Sequence, residues 1–324
     1  MGLFDEQVSR KPDNYPWTEK FIDAIHEGHW THKEFTFKSD LNDFKVKMTK
    51  KERDMIVKCL SSIGQVEISV KKFWARLGDN LPHPSISDMG HVFGGNEVVH
   101  GRAYFNLLSV LGLEDEFQNH LKEKALSGRV KYLRKHLSKK FESDKKQYIY
   151  SLILFTLFVE NVSLFSQFYI ILWMGRFRNL LKDTNQQVLY TSKEENLHKD
   201  AGISIIKTLR KEYPDLFDKE LKELVEKECL EAYDAEAELI DWIIDDFSGE
   251  RINSVILKDL VKARMNASLK AIGFKKMFEE SESSNRDIEW FDEEILGSSK
   301  IDFFHQRPVD YAKNASSFSA EELF

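Results

Sequence analysis

Between Tyr148 and Met174 the sequence reads YIYSLILFTLFVENVSLFSQFYIILWM, an apolar run with one charge, Glu160, at its middle. Such a run is long enough to cross a bilayer, but a lone carboxylate at bilayer centre costs several kcal/mol. Ser151, Thr156, Ser163, Ser166 and Gln167 are scattered around it as well. A helix that is apolar on every side also suits the centre of a helical protein, where other helices surround it. The run therefore predicts a core helix, no membrane span, and enough further helices to cover it.

The flanking sequence supplies them. Ile56, Cys59, Leu60, Ile63, Val66, Val70, Phe73, Trp74 and Leu77 recur at three- and four-residue steps, which predicts one amphipathic helix from about Lys50 to the break at GDNLPHPS. Further helices are expected over about Ser87 to Leu111, from about Glu114, and over about Ser192 to Tyr213, Asp215 to Phe247 and Ser254 to Phe278. The basic stretch Lys131 to Lys146 reads as a solvated face. Up to about Lys38 the chain is aromatic and interrupted by Pro12 and Pro16, as expected of a wrapping arm with short helices. From Asp292 the apolar periodicity is lost and Gly297, Ser298, Ser299, Ser316 and Ser317 appear, which predicts a mobile tail.

Composition narrows the classes further. Only 15 Gly and 6 Pro disfavour turn-rich sandwiches and barrels, so an all-α fold is expected. A net charge of −7 argues against a general nucleic-acid binder. Cys59 and Cys229 are the only cysteines, too few for a disulfide framework, and they suit a reducing cytoplasm. The opening MGLFDEQVSRKPDNYPW carries no basic and apolar leader, so no signal peptide is expected.

Charged side chains then fall where a core should be. Glu67 lies four residues after Ile63 and three before Val70, on the apolar face of its helix, although charges are seldom buried without a partner. Glu97 and His100 are three residues apart, which puts both side chains on one helical face as two ligands of one ion require. Glu160 stands alone in its helix, and Glu195 with His198 repeats the three-residue spacing. Roughly one Glu-x-x-His is expected by chance in such a chain, so each piece alone reads equally well as a surface pair or a helix-edge charge. The order decides: lone Glu, Glu-x-x-His, lone Glu, Glu-x-x-His on four successive helices is the ligand set of ferritin-like di-iron and di-manganese bundles. Four carboxylates offset two divalent ions, and oxygen with imidazole suits iron or manganese better than zinc or copper. A ferroxidase, an oxygenase and a radical generator all stay open at this point.

The longer motifs distinguish them. HWTHKEF, NEVVHGRAYF, FVENVSLF, SKEENLHKDAG and the terminal KIDFFHQRPVDYAKNASSF, followed by an acidic end closing on Phe324, resemble the small, radical-generating subunit of class I ribonucleotide reductase in order and spacing over nearly the whole chain. The resemblance implies a ferritin-like helical domain with its N-terminal arm over 1–290 and, over 291–324, a flexible tail that docks on a separate catalytic large subunit. It implies an oxidoreductase, ribonucleoside-diphosphate reductase, whose small subunit is a cytoplasmic homodimer serving deoxyribonucleotide synthesis and DNA replication. In that family a dinuclear metal cofactor, activated by an oxygen species, yields an oxidising equivalent that travels to a cysteine of the large subunit.

Carried over by motif, the metal ligands are Glu67, Glu97, His100, Glu160, Glu195 and His198, and Tyr104 stands at the place of the radical tyrosine. Trp30 matches the tryptophan that starts radical transfer, Glu194 and His100 would continue the chain from it, and Tyr311 matches the tail tyrosine that relays the oxidant between subunits. Three departures bear on where the oxidant is stored. Glu67 replaces the Asp of most tyrosyl-radical members, Glu194 replaces a common Asp, and Leu164 replaces a Phe that lines the tyrosine pocket. They favour a metal-centred oxidant resembling the dimanganese subclass, with two iron ions or manganese/iron as alternatives and an accessory flavoprotein as a further expected partner. The rivals are a related carboxylate-bridged oxidase or oxygenase, which needs neither Trp30 nor Tyr311, and a ferritin-like metal-storage protein.

Overall fold

The helices that frame the core are set by their caps and apolar faces. The computed structural model describes residues 2–67 and 70–297, and among these there is no β-strand, only an isolated bridge between Gly249 and Ile252. The framing helices are α1 (Glu19–Glu27), α2 (Lys50–Val66), α3 (Lys71–Ala75), α4 (Pro84–Leu111), α5 (Lys124–Leu133), α6 (Asp144–Leu154), α7 (Phe165–Arg178), α8 (Lys182–Glu212), α9 (Lys219–Ile244), α10 (Ser254–Ala271) and α11 (Glu282–Gly297). Helix α2 starts on a reciprocal cap: Thr49 Oγ1 accepts from the Glu52 amide, and Glu52 accepts from the Thr49 amide at 2.8 Å. Helix α4 starts with Pro84, whose missing N–H costs nothing in a first turn, and ends at Gly112 with φ +71°.

Two expectations about continuity are corrected, and each break lies at a lone glutamate. The helix expected from Lys50 to Leu77 stops at Val66, Glu67 sits in the turn beyond it, and the chain is helical again only in α3. The helix expected across Tyr148 to Met174 winds as a π-helix over Phe155–Glu160 and turns over residues 161–164 before α7 resumes. By contrast α4 and α8 run unbroken, as the three-residue Glu-x-x-His spacing requires. The apolar run itself is 94% buried inside the protein over its most apolar window, as expected of a central helix.

Helix α8 begins about ten residues before the expected start, because the N-terminal arm caps it. Asp40 accepts from the Thr184 amide and hydroxyl, both at 2.7 Å, and from the Asp183 amide at 3.2 Å. The basic stretch is only partly a solvated face, since Lys146 pairs with Asp218 and Glu220, and Lys135 with Glu228 and Glu231 of α9. Helices α9 and α10 are shorter than expected, whereas α11 carries the helical body past residue 290 to 297, with Phe291 and Ile295 buried. The tail from 298 onward, with Tyr311, lies outside the described residues.

Candidate metal centre

The lone glutamates and the Glu-x-x-His pairs meet between α2, α4, the π-helical turns and α8. Glu67, Glu97, His100, Glu160, Glu195 and His198 are all buried. Their placement follows from the backbone: regular helix stacks each Glu over its His, Glu67 closes α2 in helical conformation with its amide bonded to the Ile63 carbonyl and so shares the face of Ile63, and Glu160 ends the π-helical turns.

The distances divide the ligands into two overlapping sets. His100 Nδ1 lies 3.5 Å from Glu97 Oε2, 3.2 Å from Glu195 Oε1 and 4.0 Å from Glu67 Oε2. His198 Nδ1 lies 2.9 Å from Glu97 Oε1, 3.6 Å from Glu195 Oε2 and 3.5 Å from Glu160 Oε2. Glu97 and Glu195 thus offer one oxygen to each histidine, whereas Glu67 faces only His100 and Glu160 only His198. Donor atoms of Glu67, His100 and Glu195, and of Glu97, Glu160, Glu195 and His198, lie within 4.8 Å of one another in each set.

These donors lack hydrogen bonds of their own. Both oxygens of Glu67 and Glu97, Glu160 Oε2, and Nδ1 of both histidines are buried without a hydrogen-bond partner. Buried polar groups are paired almost everywhere, so orphan donors converging on two points fit a pair of cations. Burial pushes the Glu67 and Glu160 carboxyls well up, while for Glu195 burial is outweighed by the facing imidazoles of His100 and His198, which hold the carboxyl low. Burial pulls both imidazoles down, but the surrounding carboxylates outweigh it and raise them well above the usual range. Two divalent cations would replace those protons, and this all-oxygen-and-imidazole set suits iron or manganese.

A second layer orients the ligands. His100 Nε2 meets Glu194 Oε2 at 2.7 Å, which leaves Nδ1 for the centre, and the same oxygen accepts from Trp30 Nε1 at 2.8 Å. The Trp30 ring lies nearly parallel to His100, 6.1 Å away and inclined by 25°. On the opposite side Trp74 Nε1 donates to Glu160 Oε1 at 3.1 Å, and Phe93 covers the His198 ring at 4.4 Å. Sequence reading counted Trp74 only as core; the signal available was that a buried indole N–H needs an acceptor. Gly90 lets α3 bring that tryptophan close, since a Cβ there would stand 2.6 Å from the Trp74 carbonyl oxygen.

Tyr104 is buried one turn beyond His100, and its hydroxyl donates to Thr191 Oγ1 at 3.4 Å, a partner the sequence had not indicated. Neither oxygen of Glu67 bonds it, although burial and the Glu67 charge push the phenol well up. Leu164 is buried at the start of α7.

Comparison with known proteins gives the family and the fold. Residues 8–286 match the family model for the ribonucleotide reductase small chain. The probable ribonucleoside-diphosphate reductase small subunit 048L of invertebrate iridescent virus 3 is 22% identical over 328 residues, covering 97% of this chain and 86% of that one. The ribonucleoside-diphosphate reductase subunit beta of Halalkalibacterium halodurans is 23% identical over 314 residues, covering 95% of this chain and 90% of that one. The dimanganese(II) NrdF of Streptococcus sanguinis shares the fold, with a TM-score of 0.73 at 16% identity over 87% of this chain and 96% of that chain. A match of this extent, over a chain whose buried carboxylates and histidines converge as a dinuclear ligand set, means that the protein belongs to the ribonucleotide reductase small-chain family.

Proposed function

We propose that this chain is the oxidant-storing subunit of a cytoplasmic class I ribonucleotide reductase, a homodimer that activates a cysteine of a separate catalytic subunit. The six ligands would hold two metal ions, which when bound and activated supply the one-electron oxidising equivalent. The observation that carries the reading is the single oxygen, Glu194 Oε2, shared by Trp30 and His100. It joins a buried tryptophan to a metal ligand through two hydrogen bonds, a link that a storage protein or a carboxylate-bridged oxygenase has no use for.

Within that reading each residue has a task. Trp30 gives up an electron toward the centre, and Glu194 keeps its indole proton in a fixed hydrogen bond while it does so. Phe35 and Tyr190 pack on Trp30 at 6.1 and 5.8 Å and exclude water from the ring. Tyr311 would continue the route from a tail that docks on the large subunit, with the Phe and Leu side chains of Phe318 to Phe324 as its anchor. Val98 and Phe105, seven residues apart and part-exposed on α4, support an apolar contact face for the homodimer. The two buried, unpaired cysteines support a reducing compartment.

We assign the stored oxidant to the metal ions, favouring two manganese ions over two iron ions or manganese/iron, and an accessory flavoprotein as the source of the activating oxygen species. Glu67 in place of Asp, and a Tyr104 hydroxyl bonded to Thr191 and to no metal ligand, support that assignment. Trp30→Phe tests the reading. It keeps the ring packing and removes the N–H, so metal content should stay and turnover with the large subunit should vanish; full turnover would refute the route.

A further inference from the structure

A helix broken at Glu160 leaves carbonyl groups that must find partners elsewhere, because the regular ladder no longer reaches them. They are taken up by side chains. Ser163 Oγ donates to the Phe158 carbonyl at 2.8 Å, and Ser268 Oγ of α10 donates to the Leu157 carbonyl at 3.2 Å. Arg264, also on α10, donates from Nε to the Asn161 carbonyl at 2.6 Å and from its terminal nitrogen to Asn161 Oδ1 at 2.7 Å. The Asn161 amide in turn donates to Ser268 Oγ at 2.5 Å, and the guanidinium lies 3.3 Å from the centroid of the Phe165 ring. One arginine therefore grips both the backbone and the side chain of the residue that follows a metal ligand, and the ring that opens the next helix. Asp292 and Asp200 act on the buried guanidinium by charge, while its hydrogen bonds go to Asn161 at the break itself.

Resting on the dinuclear reading above, we propose that Arg264 is a positioning residue for Glu160, fixing the register of the break and with it the carboxylate that faces His198. The sensitivity is geometric. In a helix each residue turns the side chain by about 100°, so a slip of one residue at the break would carry Glu160 out of the centre altogether. Trp74 holds Glu160 Oε1 from the other side, but a single hydrogen bond to the carboxylate cannot fix the backbone that bears it. Loss of Arg264 would orphan the Asn161 carbonyl and release the register. Its direct effect falls on the ion beside His198, because Glu160 belongs to that set alone, whereas Glu97 and Glu195, which face both histidines, are carried by the unbroken helices α4 and α8.

The test is a manganese(II) titration of the full-length apoprotein followed by electron paramagnetic resonance, with thermal melting of the same samples. In Arg264→Met the second ion should bind at least about tenfold more weakly, the loss typical of an outer-layer partner, with the first ion unchanged. The spectrum should then shift from a coupled pair to an isolated ion. Arg264→Lys, which restores one donor, should recover part of the loss. Wild-type affinity for both ions in folded Arg264→Met, or equal weakening of both, overturns the proposal. If Arg264→Met does not fold, Asn161→Ala carries the same expectation, and wild-type binding there overturns it. A wild-type protein that binds fewer than two ions would refute the dinuclear reading instead.

Discussion

Replacing Glu194 with glutamine keeps the shape of the link between Trp30 and His100 and removes its charge. In the native protein one buried oxygen accepts from Trp30 Nε1 at 2.8 Å and meets His100 Nε2 at 2.7 Å. Hydrogen bonds to a charged group contribute about 1.5–3 kcal/mol each and neutral ones about 0.5–1.5, so each bond loses about 1 to 1.5 kcal/mol. The part that acts through His100 corresponds to about a tenfold weaker hold on the ion near that imidazole. The ion near His198 has no contact with Glu194 and should keep its affinity. A manganese(II) titration read by electron paramagnetic resonance separates the two, and the expected pattern is the mirror image of that for Arg264→Met. Glu194→Ala should cost more, because two buried N–H groups lose their acceptor at about 1–3 kcal/mol each. Unchanged affinity at both ions in Glu194→Gln would refute the argument that this carboxylate tunes His100.

The remaining predictions concern the tyrosines, the tail and the packing behind the site. Tyr104→Phe should keep metal content and most of the turnover if the oxidant rests on the ions, and steady-state assay with the large subunit decides; abolished turnover would return the store to Tyr104. Tyr311→Phe and deletion after Ser317 should each leave two ions bound but abolish turnover, and normal activity in either would sink the tail relay. Gly90→Ala should destabilise by about 1–3 kcal/mol in denaturant melts, because the added methyl meets the Trp74 backbone oxygen at 2.6 Å, and a neutral result would mean that α3 and α4 part easily.

The ligands were legible in the sequence because their chemistry contradicts their surroundings: Glu160 is a charge in an apolar run, and Glu97 with His100 repeats as Glu195 with His198. The breaks at Glu67 and Glu160 were not legible. Where every side of a helix is apolar, periodicity carries no phase, so a π-helical insertion at Phe155–Glu160 leaves no mark on the pattern. The early start of α8 was hidden for another reason, since its cap, Asp40, comes from about 140 residues upstream in the chain. Trp74, Thr191 and Arg264 were missed because their roles are set by partners on other helices, Glu160, Tyr104 and Asn161 respectively. Residue spacing along one helix reports which side chains share a face. It does not report what that face meets.

The central claim is that two ions sit between Glu67, Glu97, His100, Glu160, Glu195 and His198 and hold the oxidant used in turnover. Metal analysis with electron paramagnetic resonance, on protein loaded separately with manganese and iron, activated, and assayed with a catalytic subunit, tests it most directly. The account predicts two ions per chain and, in the form that supports turnover, a multiline metal signal without a tyrosyl signal. A sharp tyrosyl signal that tracks activity would contradict storage on the metals, and active protein with no metal bound would contradict the site itself.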